Sequence, residues 1–178
     1  MSELIKEYLE TLPNAYPIVE YCFGKAEDIP LSDKVWYICK TDCKRYGKSW
    51  SCPPNCGELS ELMNDVRSFN NYFLYSCVYD VPNAWDPESC IPAKNSHEEI
   101  AREINTALKG MGENYLMLST GCTVCEECAC PDSPCKHPED RISSMESHGV
   151  MIMQLAGDVG LCFNYGGDTM VYFSLVLF

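Results

Sequence analysis

Residues 114–135 read NYLMLSTGCTVCEECACPDSPC, and the way this stretch divides decides the fold. Its first part, NYLMLST, has the short apolar run of a buried strand. Its second part gives Cys122, Cys125, Cys128, Cys130 and Cys135 to a single loop. A strand that feeds such a loop places it beyond the strand's carboxyl end, where sheets flanked by helices usually hold their ligands.

The rest of the chain repeats this theme. YPIVEYCF (16–23) and KVWYIC (34–39) are rich in aromatic and β-branched residues and predict strands, the second delivering Cys39. The Gly, Pro and polar residues of KTDCKRYGKSWSCPPNCG (40–57) then mark a loop. At its exit Asn55 and Glu58 have capping-box spacing, and Leu59, Leu62, Met63, Val66 and Phe69 recur at helical intervals. That puts Cys56 in the first turn of a helix, where the dipole favours a thiolate.

NYFLYSCVYDV (71–81) predicts another strand, followed by a Pro-rich connection. Ser96 and Glu99 suggest a second capping box ahead of Ile100, Ile104, Ala107, Leu108 and Met111, in a helix ending near Gly110 to Gly112. Ser143 and Glu146 suggest a short helix closed by Gly149, with a further apolar helical stretch after it. Gly166 and Gly167 mark a turn before a terminal strand, TMVYFSLVLF (169–178). The expected fold is α/β, a single-domain sandwich of a mixed sheet with helices and crossover connections. One metal-binding domain then spans residues 1–178, with cysteine loops at 39–56 and 122–138. If the second and fourth strands run the same way, both loops lie on one rim.

A chain of 178 residues buries a core without needing crosslinks. Thirteen Lys and Arg against 26 Asp and Glu give a net charge of -13, which repels nucleic acid and anionic lipid and favours basic patches on protein partners. MSELIKEYLE (1–10) lacks the pattern of a secretory signal, and MVYFSLVLF (170–178) falls short of the roughly 20 residues of a membrane helix. The expectation is a cytoplasmic protein that binds neither membrane nor nucleic acid. In that compartment thirteen cysteines point to metal or redox chemistry, since disulfides are rare there. Cys22, Cys77, Cys90 and Cys162 lie outside the two windows and are expected to be small buried hydrophobes.

The gaps of two residues in Cys122-x2-Cys125-x2-Cys128 match the ferredoxin-type run that ligates iron–sulfur clusters, whereas structural zinc usually draws two separate pairs. For the fourth ligand Cys135, on the longer PDSP tether, is preferred. Cys130, separated from Cys128 by a single residue, is held in reserve. In the first window Cys39, Cys43, Cys52 and Cys56 are the candidate ligands. Pro53 and Pro54 after Cys52 favour a cluster, and a four-cysteine zinc site is the alternative. Tyr46 and Trp50 either cover that site or pack in the core.

CKRYGKSWSCPP followed by CTVCEECACPDSPCKHPEDRISSMESHGV resembles the domain of unknown function 2284 family, predicted metal-binding proteins found largely in anaerobes, over nearly the whole chain. The family pattern falls on Cys39, Cys43, Tyr46, Gly47, Trp50, Cys52, Pro53 and Pro54. It continues on Cys122, Cys125, Cys128, Pro134, Cys135, Pro138 and SMESHGV, and does not include Cys56 or Cys130. The resemblance implies a metal and no particular reaction. If only the three matching thiols of the first window ligate, one iron is left open.

The leading expectation is an iron–sulfur protein with one or two 4Fe-4S clusters that passes electrons to a partner bearing a basic patch. Neither of the usual glycine-rich nucleotide motifs is in the sequence. One alternative is an enzyme with an open iron for substrate or sulfur chemistry, with Arg45, Tyr46, Lys48 and His137 as acid–base or anchoring candidates. The other is a zinc-stabilised interaction module.

Overall fold

Alternation along Asn71–Asp80 organises the molecule. Phe73, Tyr75 and Cys77 enter one buried cluster and Tyr72 and Leu74 another, the period of two expected of a strand buried on both faces. The structure, a computed structural model, describes residues 2–178; Met1, where the predicted opening segment begins, lies outside the described residues. The elements are α1 (Ser2–Ala15), β1 (Glu20–Lys25), α2 (Lys34–Asp42), α3 (Leu59–Arg67), β2 (Asn71–Asp80) and α4 (Ile91–Gly110). After these come β3 (Leu116–Ser119), β4 (Ser143–Ser144), α5 (Ile152–Asp158) and β5 (Thr169–Leu177).

The five strands form one mixed sheet in the order β1-β2-β5-β3-β4. The first three pairings are antiparallel and the last, β3 with β4, is parallel. On one face Ile5, Leu9 and Leu12 of α1 and Ala101, Ile104 and Leu108 of α4 cover Phe73, Tyr75 and Val176. On the other, Val66 of α3 and Leu155 and Ala156 of α5 cover Leu74, Leu175 and Leu177. Each fully buried Leu or Ile contributes about 2 kcal/mol, so helices on both faces fix the α/β sandwich.

Local signals were overridden in three places. The segment KVWYIC is helical, not a strand: Lys34 N–H donates to Ser32 Oγ at 3.2 Å, and α2 docks through Trp36 Nε1, which donates to Ser147 O at 3.0 Å. Strand preference in such residues is weak and yields to tertiary placement. Second, α4 begins at Ile91, with Pro92 in its first turn, so Ser96 and Glu99 lie inside the helix and cap nothing. Third, Ser143 and Ser144 pair with Leu118 and Ser119 as a strand, and only a single turn, Glu146–His148, follows, closed by Gly149 at φ 71°.

The parallel pair carries a consequence for the cysteines. Parallel neighbours need a crossover connection, normally built around a helix. Here residues 120–142 make that connection without any helix or strand, and they contain the whole second cysteine window. The crossover into β4 is therefore a cysteine loop.

Candidate metal centre and adjoining cleft

The first window starts on a helix end. Cys39 belongs to α2 and Cys43 caps it, its N–H donating to Cys39 O at 3.2 Å, so the two thiols sit four residues apart on one helical face. From Cys43 to Glu58 the chain is irregular and folds back on itself, with Gly47 N–H donating to Pro53 O at 3.0 Å. Cys56 lies in this turn and not in the first turn of α3, which begins at Leu59 with Glu58 at its N-cap. Asn55, expected to cap that helix, instead points its amide at Gly47 O (3.1 Å) and Cys130 Sγ (3.1 Å).

The second window begins where β3 ends. Glu98, buried in α4, accepts three hydrogen bonds there: from Ser119 Oγ at 2.6 Å, Thr120 N at 2.9 Å and Thr120 Oγ1 at 2.6 Å. Behind it, Ser119 Oγ and Ser174 Oγ are 2.8 Å apart and Ser174 Oγ lies 2.9 Å from His97 Nε2. Because Ser119 gives its proton to the carboxylate, Ser174 donates to Ser119 and His97 Nε2–H donates to Ser174. This buried network fixes the point from which Gly121 and Cys122 depart. Composition and spacing gave no sign of it.

The two windows are stitched together along one corner of the sheet, as expected for a shared rim, although the first arrives from a helix. Ser144 N–H donates to Ser51 O at 2.9 Å and Cys122 N–H to Ser51 Oγ at 3.0 Å. Arg45 Nη2 donates to Cys122 O at 3.1 Å, and Trp50 Nε1 to Ser133 O at 3.0 Å. Trp50 thus braces the second window and does not pack in the core. At Gly121, φ is +97° and a Cβ would sit 3.1 Å from Cys52 Sγ, so only glycine lets the windows close this far.

Cys122, Cys125, Cys128 and Cys135 all line a single cleft of about 850 Å³. Cys130 is buried apart from it, held by Asn55 with its Sγ 3.8 Å from Gly47 O. Cys77 and Cys90 are buried as expected, while Cys22 and Cys162 are only partly so. Among the described residues no group of three or more His, Cys, Asp and Glu side chains is gathered closely enough to hold a metal ion.

Burial pushes up the thiols of Cys39, Cys56, Cys122 and Cys130. Cys39 rises to about 12 by burial, with the neighbouring charges of Glu146, Cys43, Cys52 and Cys56 adding to it, and Cys56 to about 11. The dipole effect expected at Cys56 is thus absent. Cys122 is raised by burial, then by Glu98, Cys135 and Cys125. Thiols crowded this way resist ionising together unless a cation joins them, which is the chemistry of a thiolate metal site. The number and type of these donors, and the close approach of the two windows at Gly121, suit a sulfur-ligated metal.

Arg45, Lys48 and His137, anticipated as anchoring groups, line the cleft, and Lys94 and Arg141 join them. Tyr46 is half-buried in the first window. Burial, followed by the charge of Arg45, lowers the Lys94 ammonium, and burial raises the Glu146 carboxyl. No helix among the described residues is long and apolar enough to cross a membrane.

Compared with known proteins, residues 24–178 match the family described as predicted metal-binding protein (DUF2284). No curated protein and no solved structure matches the chain.

Proposed function

The chain belongs to the DUF2284 family of predicted metal-binding proteins, and on that premise we propose that it holds one or two 4Fe-4S clusters and passes electrons to a protein partner. The observation that carries this reading is the grouping of Cys122, Cys125, Cys128 and Cys135 around one cleft, with Cys130 turned aside. Thiols spread around a broad cleft suit a cubane, which offers an iron at each of four corners. A lone zinc gathers its sulfurs at about 2.3 Å from one point. Cys39, Cys43, Cys52 and Cys56 are the ligand set proposed for a second cluster.

When bound, such clusters supply single-electron storage. The protein's own residues do the rest. Glu98 anchors the start of the second window, Ser51 and Arg45 tie it to the first, and Trp50 braces its far side. The closeness of Cys52 to Gly121 supports a reading in which the two proposed ligand sets are neighbours, as stepwise electron passage requires. The long crossover 120–142 has only two backbone hydrogen bonds of its own among those described, Ser133 N to Ala129 O and Asp140 N to His137 O, so metal ligation supports its shape. The acidic exterior suits docking to a basic patch on the redox partner.

Iron and acid-labile sulfide counted on protein purified without oxygen test this directly. Four or eight of each per chain, with a signal reducible by one electron, supports the proposal. A colourless protein containing zinc would falsify it.

A further inference from the structure

The cleft that receives the second window is much larger than an eight-atom cluster, and its walls carry an unusual charge. Lys44, Arg45, Lys48, Lys94, Lys136 and Arg141 all line it, six of the chain's thirteen Lys and Arg, against three of its 26 Asp and Glu. A strongly acidic protein has thus concentrated its cations in one concavity. Among the described residues none of these six has a carboxylate oxygen within 4.0 Å; the ion pair that is formed, Lys6 with Glu10, lies elsewhere on α1. The helix α4 also opens into the cleft, with Cys90 at its N-cap and Ile91, Lys94 and Asn95 on the wall, adding the positive end of its dipole.

The remaining wall is apolar and aromatic. Trp50 and Tyr172 line the cleft, together with Val124, Ile91 and Met170. Small-molecule sites combine this kind of surface with a few placed polar groups, in volumes of about 300–1,000 Å³. A cleft that combines cations free of carboxylate partners with apolar and aromatic surface matches a ligand that is itself divided, with an anionic head and a carbon body.

We propose that the cleft beside Cys122, Cys125, Cys128 and Cys135 is a binding site for a small organic anion, a carboxylate or phosphate ester with an apolar or aromatic body. Lys48 and Arg141 hold the anionic group. Trp50 and Tyr172 hold the body. The inference goes beyond electron carriage and does not depend on which metal the thiols take. The competing explanation is that the cations serve only to balance the charge of a thiolate cluster.

Calorimetric titration of the metal-loaded full chain with phenyl phosphate, inorganic phosphate and benzyl alcohol separates the two. Phenyl phosphate is expected to bind at least tenfold more tightly than either half-molecule. Lys48→Gln and Arg141→Gln should each weaken it by tenfold or more, whereas Lys6→Gln, the same charge change outside the cleft, should leave it unaltered. Phenyl phosphate no tighter than its halves, or indifferent to both cleft variants, overturns the proposal in favour of charge balance. Metal and sulfide are counted on every sample. Intact clusters without binding sink this inference alone, and binding without iron sinks the iron–sulfur reading alone. Lys48 is exposed, so its variant reports on the cleft even if Arg141→Gln fails to fold.

Discussion

Gly121 and Cys52 meet across the two windows with no room for a methyl group: a Cβ at Gly121 would stand 3.1 Å from Cys52 Sγ. The φ of +97° adds a conformational penalty for any other residue. Gly121→Ala is expected to cost about 1–3 kcal/mol and to lower the metal bound per chain. Thermal melts and metal analysis read both effects. Unchanged metal content would mean that the windows act separately.

The cysteines around the cleft and the one turned away make opposite forecasts. Cys125→Ser and Cys135→Ser should each remove one metal centre, whereas Cys130→Ser should leave the metal count unaltered, because that thiol is occupied by Asn55. Metal per chain decides this. Loss on replacing Cys130 would make it the fourth ligand.

Glu98 holds three donors at the base of the second window. Glu98→Ala removes the acceptor shared by all three, at a cost on the order of 3 kcal/mol. Glu98→Gln, which keeps an acceptor oxygen, should be milder by more than half. Denaturant unfolding of the two variants checks the ranking, and equal losses would show that charge, not acceptance, is what matters.

Burial holds His97 neutral, with its pKa lowered from 6.5 to about 4. The unfolded chain takes up a proton on this imidazole more readily, so the stability it secures is complete above pH 6.5 and is lost as pH falls toward 4. The total is about 3 kcal/mol, of which about 2 kcal/mol is gone by pH 5. His148 is also lowered to about 4, again by burial. Unfolding free energies at pH 7 and pH 5 for the parent and His97→Gln should differ in slope by roughly that amount. Parallel slopes would place the acid sensitivity elsewhere.

Sequence made the sheet legible because β2 and β5 are runs rich in aromatic and β-branched residues and α4 carries a continuous apolar stripe. It failed where a segment's partner is distant. The residues KVWYIC favour a strand in isolation, yet Trp36 finds Ser147, which lies 111 residues away. The capping boxes at Asn55, Ser96 and Ser143 have the right spacing without the right surroundings: Asn55 is engaged by Gly47 and Cys130, Ser96 lies exposed inside α4, and Ser143 belongs to β4. The clustering of thiols was visible from their gaps alone. What joins the windows was not, because Ser51, Gly121 and Glu98 are unremarkable letters until folding brings them together. Arg45, Lys48 and His137 could be named as loop residues, but the concentration of cations exists only in three dimensions.

The two-residue strand β4 ends the sheet, and Ser51 of the first window closes its outer edge by accepting the Ser144 N–H. If ligation of the first window holds that cap in place, removing the metal bares the rim to a second chain. Metal-stripped protein is then expected to self-associate, which light scattering before and after chelation reads.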